Sequence, residues 1–312
     1  MWLWLLAGLA GLYLLRRWHR ERQTVPRLSD KFVLITGCDS GFGNLLARQL
    51  DARGLPVLAA CLSEAGAARL RADASSRLQT PEQSRGERIS PTHPFPSSPG
   101  LWGLVNNAGV AVPTGPNEWL TKEDFAKVLD VNLLGLIEVT LSLLPLLRQA
   151  RGRVVNVASV MGRVSMFGGG YCISKYGVEA FSDSLRVEMR HFGVKVSIIE
   201  PGYFSTAVTN FDAHNKHLLS CWERLPQETK AAYGDSYLED TFVSMRSMLK
   251  TCSLKLSLVT DCMEHALTSC HPRARYSAGW DAKLIYIPLS YLPSAFTDLI
   301  FSWVYPKPAL KV

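Results

Sequence analysis

A doubly wound α/β sheet of the dinucleotide-binding (Rossmann) type is what this sequence predicts, on three observations. Short apolar, β-branched runs alternate with helical patterns, as in a mostly parallel sheet covered on both faces. The first run ends in a glycine cluster that opens a helix, Thr36-Gly37-x-x-x-Gly41-x-Gly43. The 312 residues, 47% of them apolar, suit one large domain with a sizeable core.

The elements follow in order. Residues 31–36 read as a buried strand running into glycines. Residues 41–53 read as a helix with Leu45, Leu46, Ala47 and Leu50 on one side. A second strand is expected over 56–61 and a short, alanine-rich helix over 64–73. Beyond them, 101–106 reads as a strand, 122–149 as mostly helix, 153–158 as a strand, 171–192 as a helix and 194–200 as a strand. Residues 79–100, QTPEQSRGERISPTHPFPSSPG, do not fit. Five prolines and four serines leave only Ile89 and Phe95 as large apolar groups. Proline removes backbone donors, so neither a core strand nor an amphipathic helix is expected there, only an irregular insert. Residues 203–250 and the apolar, proline-interrupted stretch 284–306 follow the last expected strand. The latter reads as core packing or a lid, with a membrane-contacting flap as the other option.

Charge and cysteine content exclude several classes. The net charge is +7, but the only dense basic cluster is Arg16, Arg17, Arg20 and Arg22, beside an apolar N-terminus. Without a basic face or a known module, no nucleic-acid partner is expected. The cysteines Cys38, Cys61, Cys172, Cys221, Cys252, Cys262 and Cys270 are odd in number and lack C-x-x-C spacing. Neither a metal site nor a disulfide framework is therefore expected. Residues 1–15, MWLWLLAGLAGLYLL, carry no charge. As a helix they reach roughly 22 Å, short of the ~30 Å core of a bilayer. Trp2, Trp4, Tyr13 and Trp18 suit the interfaces, and the arginines can snorkel. A cleaved signal peptide has the opposite charge order, so residues 1–22 read as a retained anchor with a basic flank. The positive-inside rule places the following domain on the cytosolic side.

The candidate chemistry lies at the expected element boundaries. Glycines allow positive φ and close backbone approach, and the helix N-terminus behind them offers N–H groups to a pyrophosphate. Asn106-Asn107-Ala108-Gly109 follows another strand, with amides that can bridge strand ends and small residues that leave room. Tyr171 and Lys175 share one helix face at i, i+4. A phenol is a poor base near neutrality, and a neighbouring ammonium favours its phenolate. Ser159 lies just past a strand, where its hydroxyl can orient a substrate oxygen. Asn132 sits inside a helical pattern, where asparagine is unfavourable unless it kinks the helix or serves a relay.

Together, Thr36 to Gly43, Asn106 to Gly109, Asn132, Ser159, Tyr171, Lys175 and Pro201-Gly202 resemble the short-chain dehydrogenase/reductase family. ITGCDSGFG, LWGLVNNAG, VLDVNLLG, GGGYCISKYGVEAFSDSLR, EPGYF and HPRARYSAGWDAKL narrow the likeness to its microsomal retinol dehydrogenases, the liver all-trans-retinol and 3α-hydroxysteroid type among them. It covers residues 1–78 and 101–312. The resemblance implies a catalytic domain over 30–312 that oxidises retinol to retinal with NAD, NADP being the alternative. Tyr171 would be the general base, Lys175 would hold the nicotinamide ribose and lower the tyrosine pKa, Ser159 would hold the substrate oxygen, and Asn132 would complete the relay. The cofactor would lie on Thr36, Gly37, Ser40, Gly41, Phe42 and Gly43, on Asn107, Ala108 and Gly109, and on Pro201 and Gly202, beside Tyr171 and Lys175. Residues 203–250 would cover a retinoid or steroid with Tyr203, Phe204, Phe211, Trp222, Tyr233, Tyr237, Phe242, Met245 and Met248. The second strand lacks the acidic residue that usually takes the ribose hydroxyls, with Glu64 as a possible substitute. An endoplasmic reticulum membrane location follows, and a homodimer is open. Two other readings stand beside this one: a 3α- or 17β-hydroxysteroid dehydrogenase, and an impaired variant that only binds or dimerises. The second arises because the family places its third strand and a following helix at 79–100, where this chain is expected to lack both and so to hold its cofactor less well.

Overall fold

The computed structural model describes residues 2–80 and 100–310. Seven strands form one parallel sheet: β1 (Val33–Thr36), β2 (Val57–Ala60), β3 (Leu78–Gln79), β4 (Gly103–Asn106), β5 (Arg153–Val157), β6 (Lys195–Pro201) and β7 (Arg275–Ala278). Their order is β3-β2-β1-β4-β5-β6-β7, reversing direction at β1, where ligand crevices open in such sheets. Runs such as VLIT and VLAA are apolar throughout because both faces of the sheet are covered.

An N-terminal helix, α1 (Trp2–Glu21), precedes the sheet. The connections are α2 (Gly41–Ala52), α3 (Glu64–Ala72), α4 (Lys122–Leu129), α5 (Gly135–Ala150) and α6 (Gly170–Met189). After β6 come α7 (Phe211–Arg224), α8 (Gln227–Tyr233), α9 (Asp235–Lys250) and α10 (Ser257–Thr268), and after β7 come α11 (Ile287–Leu289) and α12 (Ser294–Val304). One face of the sheet buries Val33, Ile35 and Val57 against Leu46 and Leu50 of α2, Leu70 of α3 and Met263 of α10. The other buries Leu34, Leu58 and Leu104 against Leu143 and Leu147 of α5 and Leu185 of α6. The switch of face between Val33 and Leu34 is the two-residue strand period at work.

The expectation that the third strand is missing is corrected. Two residues of it remain, with Leu78 beside Val57 and Gln79 beside Leu58. Asp51 supplies the physical reason. Its carboxylate accepts from the Ser75 N–H at 2.8 Å, and its carbonyl accepts from Arg77 at 3.2 Å. That turn delivers Leu78 to the core, where it is buried. The proline-rich run that follows, and any helix in place of it, lies outside the described residues.

α4 and α5 form one continuous helix through a π turn at Asp130–Leu134, closed by the Gly135 N–H donating to the Asp130 carbonyl. Among the described residues, 122–150 is the run long and apolar enough to cross a membrane by length and composition. Val128, Leu136, Leu143 and Leu147 bury its inner face in the domain, so it is a core helix. α1 is the opposite case. Trp2, Trp4, Leu9, Leu12 and Tyr13 are all exposed, and its 20 residues make about 30 Å of helix. Its C-terminal end meets the domain. Arg20 bonds His271 at 3.2 Å, the Glu21 carbonyl bonds His265 at 2.8 Å, and the Val25 N–H donates to the Thr268 carbonyl at 2.8 Å. Arg20, Glu21 and Val25 thus tie the end of α1 to α10 and the residues after it.

Candidate active site

Two cavities open along the C-terminal ends of the strands. The larger, about 710 Å³, runs over the glycine turn between β1 and α2 and along Asn107, Ala108, Gly109, Lys175 and Pro201. The other, about 540 Å³ and walled mostly by apolar atoms, lies beneath residues of α7, α9 and α12. Ser159, Tyr171, Gly202, Val208 and Thr209 line both. An alcohol in one and a dinucleotide in the other would meet at Ser159 and Tyr171.

The first cavity is shaped by close backbone packing. Gly37 has φ +72°, and a Cβ there would stand 2.7 Å from the Ala108 Cα. A Cβ on Gly43 would fall 2.4 Å from the Gly37 carbonyl oxygen. Any side chain at either position would displace the wall. Asn107 fastens the two strand ends: its amide donates to the Thr36 and Gly37 carbonyls, both at 3.0 Å. The Thr36 hydroxyl accepts from the Asn107 and Ala108 N–H groups at 3.0 and 3.1 Å. Ser40 precedes α2 in extended conformation, Gly41 begins it at φ +63°, and Phe42 packs edge-on against Phe204 at 5.6 Å. The free N–H groups of α2 thus face the cleft with the positive end of its dipole, as a pyrophosphate requires.

An acidic group does line the cleft, in the turn after β1 rather than on the second strand. Asp39 lines the cleft and accepts from the Leu62 and Ser63 N–H groups at 2.7 and 2.9 Å and from the Ser63 hydroxyl at 2.7 Å. Partial burial raises its pKa, but these donors win and hold the carboxyl below its ordinary value. Glu64, the expected substitute, begins α3 and pairs with Arg71.

Around the meeting point, Tyr171 is partly buried, and burial pushes its phenol up to about 12 against a downward pull from the Ser159 hydroxyl. The Lys175 Nζ stands 5.7 Å from the Tyr171 ring centre and donates to the Val157 carbonyl at 2.8 Å. Burial brings its pKa down to about 8, opposed by Glu179. Asn132 is buried inside the π turn. Its amide accepts from the Val110 N–H at 2.8 Å, donates to the Val110 carbonyl at 2.8 Å, and donates to Ser174 at 3.0 Å. Ser174 in turn donates to the Tyr171 carbonyl at 2.7 Å. Asn132 therefore braces the turn of α6 that carries Tyr171.

Sequence reasoning missed three supports. The Asn106 amide donates to Thr140 and Asn156, and the Asn156 amide to Ser182, each at 2.8 Å, so a buried polar chain crosses the sheet from α5 to α6. The Asp281 carboxylate accepts from the Tyr203 N–H at 2.7 Å and fills the space a Cβ on Gly202 would need. Arg275 on β7 binds Glu179, Asp183 and Glu200 together. Of the expected lining, Tyr203, Tyr237, Met245 and Met248 reach the apolar cavity. Phe204 faces the other cavity, Trp222, Tyr233 and Phe242 pack around Trp119, and Phe211 lies under Arg246. From the 284–306 stretch, Tyr286, Phe301, Val304 and Tyr305 line the apolar cavity.

A model of the short chain dehydrogenase family matches residues 95–217. The human protein named Retinol dehydrogenase 16 is 61% identical over 315 residues, covering 99% of each chain. Human 17-beta-hydroxysteroid dehydrogenase type 6 is 57% identical over 318 residues, covering 100% of each. A short-chain dehydrogenase/reductase from Burkholderia phymatum, solved with NAD, superposes with a TM-score of 0.69 at 20% identity, covering 92% of this chain and 100% of that one.

Proposed function

The chain belongs to the short-chain dehydrogenase family, and from that premise we propose that it oxidises retinol to retinal as a membrane-held, NAD-dependent enzyme. The observation that carries this is the pair of cavities meeting at Ser159 and Tyr171. The glycine walls, the α2 N-terminus and the ionised Asp39 fit a dinucleotide in the larger cavity, and a nicotinamide bound there supplies the acceptor for the substrate's hydride. Tyr171 takes the alcohol proton as general base. Ser159 orients the oxygen and donates to the phenolate. Lys175 keeps two Nζ protons beyond the one on Val157, enough to hold a ribose while its charge draws the phenol down. Asn132 keeps Tyr171 in register. A hydroxysteroid is the second reading, favoured by the similarity to the 17-beta-hydroxysteroid enzyme. The complete constellation supports turnover over a merely binding role.

The test is the full chain in detergent, offered NAD with all-trans-retinol or a 3α-hydroxysteroid while reduced nicotinamide is followed by absorbance. Oxidation of retinol is expected, and no reduction of NAD by either alcohol would sink the proposal. NAD is also expected to show the lower KM. A 2′-phosphate would meet the Asp39 carboxylate, and Ser40 offers no cation to balance it. A lower KM for NADP would contradict this.

The apolar, exposed α1 with its arginine flank supports anchoring in the endoplasmic reticulum membrane. Deleting residues 1–18 is expected to release a folded, active protein into the carbonate-soluble fraction. Deleting 1–22 is expected to lower Tm as well, because it removes Arg20 and the Glu21 partner of Arg273. Membrane retention of the shorter deletion would place the anchor elsewhere.

A further inference from the structure

The apolar cavity carries polar groups besides Ser159 and Tyr171, and most are engaged by nearby backbone. The Thr114 hydroxyl donates to the Ala111 carbonyl, the Thr241 hydroxyl donates to the Tyr237 carbonyl at 2.7 Å, and the Asn117 carbonyl accepts from the Gly169 N–H at 3.0 Å. His214 differs. It lines the cavity from the first turn of α7, half-buried, with Nδ1 2.8 Å from the Asn210 carbonyl oxygen. A carbonyl can only accept, so Nδ1 carries the proton. A neutral ring then presents Nε2 as a bare lone pair. Burial holds the ring's pKa below its ordinary value, and the positive end of α7 also opposes an imidazolium. No hydrogen bond to Nε2 is present among the described residues. Leu218, Met245 and Met248 share the cavity wall with it and carry no donor.

We infer that His214 anchors a second oxygen of the substrate, its Nε2 accepting from a hydroxyl remote from the carbon being oxidised. The inference rests on the alcohol-oxidation reading above and selects within it. Retinol has one oxygen, whereas a steroid diol has one at each end, so the cavity is built for apolar diols as well as for simple alcohols. Because the Nδ1-protonated ring can only accept at Nε2, a ketone in place of the second hydroxyl would face it lone pair to lone pair. The site therefore distinguishes a diol from the matching hydroxyketone, which have nearly the same shape.

The experiment measures dissociation constants by quenching of tryptophan fluorescence, using the full chain in detergent saturated with NADH. The ligands are 5α-androstane-3α,17β-diol, its 17-ketone and all-trans-retinol; the proteins are wild type, His214→Phe and His214→Gln. Wild type is expected to bind the diol about five- to tenfold more tightly than the ketone, the scale of one buried hydrogen bond. His214→Phe should erase that ratio. His214→Gln, whose amide oxygen can still accept, should keep part of it. Retinol reports the change of shape alone. If His214→Phe leaves the diol-to-ketone ratio unchanged, or weakens all three ligands equally, the inference is overturned. Turnover measured alongside keeps the two ideas apart: absence of oxidation would remove the proposed function, while the binding ratio would still decide the role of His214.

Discussion

Replacing Tyr171 with phenylalanine is expected to lower kcat/KM by about 10²–10⁴-fold or more, while NAD affinity stays within about twofold. The ring keeps its place stacked beside Phe167, at 6.1 Å, so the loss isolates the hydroxyl. The pH profile supplies a second readout. Burial raises the phenol to about 12, so at neutral pH only a small phenolate fraction is present to act as the base. Each step of pH upward enlarges the phenolate fraction, and the wild-type rate should climb from pH 6 to 9. The residual rate of Tyr171→Phe should lose that slope. Retention of a tenth of the wild-type rate would show that another group takes the proton.

Arg275→Leu should produce the largest loss of stability, about 3–5 kcal/mol, because it strands buried carboxylates without their cation. Glu200 and Glu179 are nearly inaccessible, and Arg275 is the group that reaches both. A fall in Tm of about 10 °C is the expected scale. The sign of the pH effect follows from Glu179, whose carboxyl is pushed up to about 7 by burial and by Glu200, against Arg275. The native state therefore holds a proton that the unfolded chain releases near 4.5. Its contribution is full below that value and is lost as pH rises through 7. Arg275→Leu should accordingly regain part of its stability at pH 5.5, and Glu179→Gln should rescue it partly at pH 7.5. Thermal melts at the two pH values check both; a loss under 1 kcal/mol would mean that Arg163, 3.3 Å from Glu200, neutralises the cluster alone.

The central sheet was legible because burial on both faces writes strands as apolar runs, nearly unbroken in β1 and β2 and interrupted by single polar residues in β4, β5 and β6. β7 escaped notice because RYSA is apolar only at alternate positions, its arginine being turned to the carboxylates of α6 and β6. β3 escaped because two residues make no pattern. The Tyr171 and Lys175 pair could be read from its helical spacing, and the glycine turn from its place after a strand. Asp39 could be noticed but not assigned, since nothing local shows that the Leu62 and Ser63 amides converge on it. His214 carried no signal: its tautomer is set by a carbonyl four residues back, and only the fold shows that α7 lies over a cavity.

The π turn at Asp130–Leu134 has a consequence for how this site tolerates change in chain length. One surplus residue is stored there, and removing any one of the five would let the run close as ordinary α-helix. Residues on one side of the deletion would then swing about 100° relative to the other, and Asn132 would lose its aim at Val110 and Ser174. Substitutions at the exposed Leu134 leave that count intact. The position of the Asn132 amide is thus encoded as an insertion as much as by the asparagine itself. A single-codon deletion here should be as damaging to turnover as the loss of Asn132, although every residue named in the active site would still be present.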